Sequence, residues 1–571
     1  MMAVLIIKRL CFILFIIIIG SIFATAQKSY RAIDKRVSET PASEMTSITR
    51  LAQYLTATAK DDYEKARAIY GWIAHSISYS DSTGRNGWLG TSENKLQQQA
   101  ENVLKNRSAV CEGFANLYKA LCEAAGLPAE MVTGVVKQED GTVSDVGHAW
   151  NAVQLEGEWY LTDPTWGSGY VQYETGRFVP MYQEAYFLIP ASKMIQSHLP
   201  DDPIWQLLPN PLTEQEFRSL SVVPLSARVT ENAPQPFAYQ DSIALWFRQD
   251  SLQRMLHASE RVLRYNPKNP VSLARLGNHF YNEAVRIVFR VEEQVLQAFD
   301  EADRPLDTTQ LLLQLVNAEQ LLQRGWYYYK QVENEKLIAI IEGLAPETVM
   351  EAELNYLRGL IGVWEVKRLY QQLNNSDKKV AKNYYDVINT KAQHTQYYFT
   401  TAAEVYANHT GALYEDALHK AKLHQALLYN YVAKANGTIL ELTEATNEAE
   451  LNALAERLDR GEAAYQQMLS IVQSVVAKDP MSVLGNSLLE ESPLVLAALY
   501  ADRGFVQQFT LFKKYQRQWD HPELLTKKTT DEMIQAHLKC NDYADQAAKY
   551  LTNAVNNEAT DVMKQQLRTL Q

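Results

Sequence analysis

The chain has 571 residues, and its 55 lysines and arginines stand against 67 aspartates and glutamates, a formal net charge of −12. This length exceeds what one hydrophobic core normally supports, so we expect two or more domains. The acidic balance, without a basic stripe anywhere in the sequence, argues against nucleic acid as a partner.

The chain begins with a predicted secretory signal peptide. Lys8 and Arg9 precede an almost wholly apolar run at 10–23, and an Ala-Thr-Ala motif follows at 24–26. A basic start, a short apolar core and an Ala-x-Ala exit are typical of a cleaved signal peptide. The core is shorter than the roughly 20 residues of a membrane span, although an uncleaved anchor is the alternative. We therefore predict that residues 1–26 are removed and that the protein is exported, periplasmic or extracellular, without stable membrane insertion.

Three cysteines lie beyond this leader: Cys111, Cys122 and Cys540. An odd number leaves at least one thiol free or paired between chains. Cys111 and Cys122 are 11 positions apart, which on one helix is about 16 Å along the axis. A disulfide needs Cα atoms within about 7 Å, so this pair is an improbable disulfide.

A helix is predicted to begin at Cys111. Apolar residues recur after it at helical spacing as far as Ala125, and Gly126 supplies a stop signal. The backbone N–H groups and the dipole at a helix start favour an anion and lower the pKa of a thiol placed there. Cys111 taken alone is more often a small core residue. Cys122 occupies an apolar position in mid-helix and is predicted to lie in the core.

A β-hairpin is predicted next. One strand is predicted at AEMVTGVVK, and two more, HAWNAVQL and EWYLTDPTWGSG, are joined by Glu156 and Gly157. The last of these ends in a Gly-rich exit. If Glu156 and Gly157 form a two-residue turn, Trp150 lies opposite Asp163. His148 and Asp163 then share one sheet face as diagonal neighbours, roughly 7 Å apart. A glycine bulge would instead shift the register by one residue and put them on opposite faces.

A cysteine, a histidine and an aspartate in this order supply the roles of thiol catalysis. Cys111 would attack a carbonyl, His148 would take and return the proton, and Asp163 would orient the imidazole. The N–H groups at the helix start are also suited to a developing oxyanion. These three residues are the candidate catalytic set.

Two stretches of the chain closely resemble the core of the transglutaminase-like superfamily, namely RSAVCEGFANLYKALCEAAGLPAEMVTG and GHAWNAVQLEGEWYLTDPTWGSG. The upstream DDYEKARAIYGWIAHSISYS is similar to its lead-in helix. The trailing YFLIPASKMIQSHLPDDPIWQLL looks like the tail of its bacterial and kyphoscoliosis-peptidase-like branches. The resemblance covers about residues 45–215.

This resemblance assigns Cys111 as the nucleophile, His148 as the base and Asp163 as the orienting residue. It implies a papain-like α+β fold and acyl transfer through a thioester, to water or to a lysine amine. The superfamily also has members that have lost catalysis. Animal transglutaminases use calcium, but we find no carboxylate-rich loop of the EF-hand kind, so neither a metal nor another cofactor is predicted.

Other residues near these motifs allow two interpretations each. Asn151 could be a second orienting amide, although strand packing is the commoner explanation. Trp150 and Trp166 could wall the cleft of the thiol or fill the core beneath it. His75 and His198 are predicted as lone histidines, at the surface or with a structural role.

Composition changes near residue 200. We predict a signal peptide at 1–26, a transglutaminase-like catalytic domain at 27–215, a Pro-rich connector at 216–241 and an all-helical domain at 242–571. Two segments are predicted to form helix pairs of tetratricopeptide type, namely ASERVLRYNPKNPVSLARLGNHFYNEA and SIVQSVVAKDPMSVLGNSLL. No sustained 34-residue period supports that repeat, so an all-helical second half is the firmer prediction.

Two hypotheses follow for the whole protein. In the first, it is an exported thiol enzyme acting on peptide or isopeptide amide bonds of a protein or peptide substrate, and the helical half recruits that substrate. In the second, the core is a non-catalytic scaffold and the helical half binds a partner protein. The filled cysteine, histidine and aspartate positions favour the first hypothesis, whereas the length of the helical half favours the second in part.

Overall fold

The computed structural model describes residues 30–80, 92–138, 140–144, 146–172, 175–219, 237–301, 304–376, 378–438 and 445–552. The predicted signal peptide and most of the predicted connector lie outside these ranges. Within them, no helix combines the length and apolar character that crossing a membrane requires. The chain divides into two compact units, Met1–Ser272 (the first unit) and Leu273–Gln571 (the second unit).

The first unit combines helices with small sheets, as the α+β prediction requires. Its helices are α1 (Arg31–Ser38), α2 (Ile48–Thr56), α3 (Asp62–Ser76), α4 (Ser92–Gln97), α5 (Ala100–Asn106), α6 (Cys111–Ala124), α7 (Ala191–Met194), α8 (Glu214–Ser219), α9 (Tyr239–Arg248) and α10 (Ser251–Tyr265). Its strands are β1 (Ser78–Tyr79), β2 (Ser108–Ala109), β3 (Ala129–Val136), β4 (His148–Leu155), β5 (Glu158–Thr162), β6 (Gly169–Val171), β7 (Phe178–Pro180) and β8 (His198–Pro200).

The largest sheet has four strands in the order β5-β4-β3-β8, each antiparallel to its neighbour. The β4–β5 register pairs Leu155 with Glu158. Between them, Glu156 and Gly157 have φ angles of 52° and 91°, as a type I′ turn requires at both central positions. This confirms the two-residue turn predicted from the sequence and excludes the bulged alternative.

The helix α6 begins where its surroundings fix the backbone. Val110 precedes it in an extended conformation, and the N–H of Val110 donates to Oε1 of Gln98 at 3.1 Å. A Cβ on Gly113 would lie 2.5 Å from that same oxygen, so only glycine allows the first turn of α6 to approach Gln98 this closely. Gly126 then ends the helix with φ +79°, at the predicted stop.

The helices α9 and α10, the last two helices of the first unit, pack on the rest of that unit. Nε1 of Trp246 in α9 donates to Oε2 of the buried Glu130 at 3.1 Å. Arg261 in α10 forms an ion pair of 2.7 Å with Asp202, and Ile243 joins the apolar core around Trp150. A chain meant to reproduce the first unit should therefore end near residue 272, beyond the connector predicted at 216–241.

The second unit is all-helical, as predicted. Its helices are α11 (Pro270–Asp300), α12 (Thr308–Tyr329), α13 (Glu335–Glu342), α14 (Glu347–Asn374), α15 (Lys378–Ala407), α16 (Ala412–Gly437), α17 (Glu448–Val476), α18 (Val483–Asp520) and α19 (Lys527–Thr552). Consecutive members from α14 to α19 pack against each other. The tetratricopeptide-like option is not confirmed, because α14 and α15 have 28 and 30 residues, whereas a repeat of about 34 residues contains two helices.

Candidate active site

The three predicted catalytic residues meet at one place in the first unit. Cys111 is the first residue of α6, His148 is the first residue of β4, and Asp163 directly follows β5. All three are buried, with exposed fractions of 6%, 7% and 0%. The site is therefore built by a helix start and by the open end of one hairpin.

A hydrogen bond connects two of these side chains. Nε2 of His148 lies 2.8 Å from Oδ2 of Asp163, as expected for diagonal neighbours in the observed register. Cys111 is close enough to the imidazole of His148 to contribute to the raised pKa of that ring. Asp163 occupies Nε2 of His148, so Nδ1 is the ring nitrogen that can face the thiol.

The second oxygen of Asp163 is held by the backbone that follows it. Oδ1 accepts hydrogen bonds from the N–H groups of Thr165 at 2.8 Å and Trp166 at 3.0 Å. The N–H of Gly167 donates to the Asp163 carbonyl, closing the turn. A Cβ on Gly167 would lie 2.0 Å from the hydroxyl of Tyr70. The turn formed by the Asp-Pro-Thr-Trp-Gly sequence therefore fixes the position of the Asp163 carboxylate.

His198 completes the site and was missed by the sequence reasoning, which took it for a lone residue. It is fully buried, and Nε2 lies 3.2 Å from Oδ2 of Asp163. Nδ1 lies 2.7 Å from Oγ of Ser197. The pairing of β8 with β3 brings it to the site. No spacing pattern marks it, and only its place in the family-like tail could have drawn attention to it.

Burial and neighbouring charges shift the pKa values of this cluster in opposite directions. Burial alone would lower the pKa of His148, but the charge and hydrogen bond of Asp163, with a contribution from Cys111, raise it to about 10. Burial opposes ionisation of Asp163, yet the two histidines hold its pKa well below the ordinary value. The pKa of His198 is lowered by burial. The site therefore favours an imidazolium at His148, a carboxylate at Asp163 and a neutral His198.

The two tryptophans named from the sequence have different positions. Trp150 is fully buried, with its ring 5.9 Å from that of His148. Trp166 is half-buried and lies 5.5 Å from the ring of His148 and 4.4 Å from that of His198. Trp150 therefore belongs to the core beneath the site, and Trp166 forms one of its walls.

The other two residues singled out from the sequence lie outside the hydrogen-bonded cluster. Asn151 is buried and donates from Nδ2 to the carbonyls of Ala115 at 3.0 Å and Glu130 at 3.2 Å. It ties α6 to the sheet, in line with the packing interpretation. His75 is exposed and stacks on Tyr182 with ring centroids 4.8 Å apart.

The described cysteines are all free, and the two on α6 differ in their environment. Cys122 is fully buried in the core, and burial raises its pKa. Cys111 packs against Ala115, Ala149 and Met131. Only 6% of its surface is exposed, because these side chains cover the thiol.

Three side chains of the site could also hold a metal ion. One ligand atom each from His148, Asp163 and His198 lies within 4.8 Å of the other two. Both histidine nitrogens already reach the same carboxylate oxygen at hydrogen-bonding distance, so protons account for the arrangement without an ion. The absence of a metal stays a prediction.

Comparison with known proteins places the site in a family context. The model of the transglutaminase-like superfamily matches residues 49–164. Kyphoscoliosis peptidase of Homo sapiens is 35% identical over 188 residues, 31% of this chain and 27% of that protein. The Mus musculus protein of the same name is 34% identical over 177 residues, 30% of this chain and 26% of that protein.

A third relative is Lim and transglutaminase domain protein ltd-1 of Caenorhabditis elegans, 27% identical over 218 residues, 35% of this chain and 28% of that protein. The chain thus covers little more than a quarter of the length of these three relatives. The residues that the family model matches, 49–164, include all three predicted catalytic positions. Residues 49–164 of this chain are a transglutaminase-like core.

Proposed function

We propose that the protein is an exported thiol enzyme in which Cys111 is the nucleophile, His148 the general base and acid, and Asp163 the orienting carboxylate, acting on peptide or isopeptide amide bonds. The observation that supports it best is the buried pair of His148 and Asp163, joined by a hydrogen bond of 2.8 Å, with Cys111 close enough to influence the charge of the imidazole. This arrangement supplies an activated nucleophile, a proton carrier and a group that fixes the ring.

Acyl transfer begins from the thiolate form of Cys111. With the pKa of His148 raised to about 10, the imidazolium persists at neutral pH and stabilises the neighbouring thiolate. The sulfur attacks the carbonyl carbon, a C–S bond forms, and the π electron pair moves onto the oxygen. The first N–H groups of a helix have no intrahelical acceptor, so those at the start of α6 stabilise this oxyanion.

Collapse of the tetrahedral intermediate breaks the C–N bond. His148 gives its proton to the leaving amine, and the acyl group stays on Cys111 as a thioester. Water as acceptor then releases a carboxylic acid, whereas a lysine amine as acceptor forms a new amide. In both cases the neutral imidazole takes and keeps one proton of the attacking group, the C–S bond breaks, and the sulfur leaves as a thiolate, so the thiolate–imidazolium pair is restored.

The family context supports a protein or peptide as substrate. Two relatives carry the name peptidase, and acyl transfer on amide bonds is the chemistry that the site suits. Export rests on the predicted signal peptide. The second unit supplies none of the three residues, and we assign to its long helices the recruitment of the polypeptide substrate.

The proposal is tested by the reactivity of Cys111 toward iodoacetamide at pH 7. We expect Cys111 to be alkylated at least about 10 times faster than Cys122, which serves as the internal reference on the same helix, because only the thiolate is nucleophilic. Cys111→Ser should abolish the fast phase. Incubation of casein with and without a labelled alkylamine then separates hydrolysis from amine transfer, and loss of both in Cys111→Ser ties them to this residue.

One observation favours a second function. The thiol of Cys111 is almost fully covered, which suits a non-catalytic scaffold whose helical half binds a partner protein. That alternative predicts no fast phase of alkylation and no change in casein. Equal slow labelling of Cys111 and Cys122 in the folded protein would therefore replace the enzyme proposal with the scaffold.

A further inference from the structure

We propose that His198 is a positioning residue: its hydrogen bond to Asp163 shares the charge of that carboxylate with His148, and so sets how strongly the imidazole of His148 holds its proton. The inference rests on the proposed function, in which His148 must both hold a proton beside the thiolate and release it to the leaving amine.

The geometry places two histidines on one carboxylate oxygen. Oδ2 of Asp163 lies 2.8 Å from Nε2 of His148 and 3.2 Å from Nε2 of His198. Oδ1 already accepts two backbone N–H groups. A carboxylate offers about four lone-pair sites, so the acceptor capacity of Asp163 is filled. Removing the hydrogen bond from His198 therefore changes how much of the negative charge of Asp163 acts on His148.

The neighbours of His198 select one tautomer. Oγ of Ser197 lies 2.7 Å from Nδ1, and a serine hydroxyl can donate to that nitrogen. With Nδ1 accepting, the ring carries its hydrogen on Nε2 and donates it to Asp163. The rings of Trp150 and Trp166 lie 5.0 Å and 4.4 Å from the ring of His198 and hold its orientation.

His198 acts as a neutral donor. The titratable groups that act on it within the described ranges are Asp163, which favours its protonation, and His148, whose positive charge opposes it. Burial outweighs the carboxylate and lowers the pKa of His198. A neutral donor disperses the negative charge of Asp163 without adding a second positive charge to the site.

The chemical consequence concerns proton release. With His198 removed, the charge on Oδ2 faces His148 alone and holds the imidazolium more tightly. A general acid works best when its pKa lies near the operating pH, so a more tightly held proton is transferred less readily to the leaving amine. His198 thus keeps the proton of His148 transferable while Asp163 stays ionised.

The test is an NMR titration of the full-length protein carrying 15N-labelled histidine. In the unaltered protein we expect His198 to show the Nε2–H tautomer and to stay neutral from pH 5 to 9. His198→Leu, which removes the donor, should raise the pKa of His148 by about 0.5 to 1 unit, since one unit corresponds to about 1.4 kcal/mol, the scale of one hydrogen bond. His198→Gln, whose amide can donate to Asp163, should restore it to within about 0.2 unit.

Each outcome decides the inference separately from the enzyme proposal. An unchanged His148 midpoint in His198→Leu, or a charged or Nδ1–H form of His198 in the unaltered protein, would overturn the role of His198 and leave fast alkylation of Cys111 untouched. Slow alkylation of Cys111 would instead overturn the enzyme proposal, whatever the titration shows. The tautomer needs no variant, so the inference remains decidable even if His198→Leu does not fold.

Discussion

Each unit holds a carboxyl group with a shifted pKa, and the two shifts are opposite in direction, Asp163 being fully buried and Asp502 half-buried. Asp163 in the first unit has its pKa held well below the ordinary value. Asp502, on α18 of the second unit, has its pKa raised to about 8 by burial, with Arg457 as the opposing charge. One group is therefore an anion at neutral pH, and the other is largely protonated.

Hydrogen bonds explain this difference. Asp163 receives two from backbone N–H groups and two from histidines, whereas no described residue donates one to the carboxyl group of Asp502. Arg457 is itself engaged, donating from Nη2 to the carbonyl of Thr438 at 2.8 Å and lying 3.7 Å from the centre of the Tyr385 ring. Burial by itself protonates a carboxyl group, and only prearranged donors turn it into a usable anion.

The largest effect is expected from Asp163→Asn. Without the carboxylate, burial should lower the pKa of His148 below its usual range, so the imidazole is neutral at pH 7 and offers no positive charge to the sulfur of Cys111. An ordinary thiol has a pKa of about 8.5 and is only a few per cent ionised at pH 7, so we expect alkylation of Cys111 by iodoacetamide to slow roughly 30-fold or more. The rate should then climb steeply between pH 7 and 9.

The unaltered protein is the control, and its alkylation rate should be nearly flat from pH 7 to 9. Equal pH profiles for the two proteins would mean that Asp163 does not govern the charge of the site, and the contrast with Asp502 would lose its meaning.

Gly167→Ala should give the second-largest effect, because the added Cβ collides with the hydroxyl of Tyr70 and displaces the turn that holds Oδ1 of Asp163. We expect a loss of stability on the order of 1–3 kcal/mol, as in other overpacked sites, together with slower alkylation of Cys111. Urea unfolding measures the loss of stability, and the rate of Cys111 alkylation measures the effect on the thiol.

Gly126→Ala is the matched control for this change. Its Cβ would meet nothing within 4 Å, but φ is +79°, so alanine should cost about 1 kcal/mol without slowing alkylation. If both variants slow the thiol equally, general destabilisation is the cause and the turn of Asp163 has no special role.

Asp502→Asn should change the pH dependence of stability by a smaller amount. The folded pKa of about 8 lies above the ordinary value of 3.8, so between these values the folded state holds a proton that the unfolded state has released. Stability therefore falls as the pH rises through this interval. Asparagine cannot ionise, so this loss of folding free energy at high pH should disappear in the variant. Tm at pH 9 should then rise by about 2–4 °C for each kcal/mol of stability regained. Tm at pH 4 should change little.

Thermal unfolding at the two pH values measures this effect, and Cys111 alkylation should not change in the same variant. A Tm change that is equal at pH 4 and pH 9 would mean that folding does not raise the pKa of Asp502, and the comparison with Asp163 would fail.

The smallest effect is expected from ending the chain at residue 272, the limit of the first unit. All members of the Cys111 site lie in this part, and so do the contacts of α9 and α10 with its core. We expect the rate of Cys111 alkylation to stay within about twofold of that of the full chain, because the thiolate depends only on its local partners. Processing of a polypeptide substrate should fall much further if the second unit recruits it.

Both rates are measured on the short and the full-length protein. An unfolded short chain would show that the second unit is needed for the first to fold. Undiminished processing of casein would mean that the helices do not recruit the substrate.

The sequence by itself was sufficient where short-range rules apply. The helix start at Cys111 follows from the residues around it. The meeting of His148 and Asp163 follows from a turn whose two residues, Glu156 and Gly157, must both adopt positive φ. These features involve neighbours in one helix or one hairpin, so periodicity and turn chemistry could place them.

Only the tertiary structure decided what completes and covers the site. His198 reaches Asp163 because β8 pairs with β3 at the far side of the sheet from β5, and the hydroxyl of Tyr70 presses on Gly167 from α3. The cover over Cys111 is likewise formed by β3 and β4 side chains. Such contacts join segments far apart in the chain, and no local pattern encodes them because many chain-distant partners satisfy the same apolar and polar requirements.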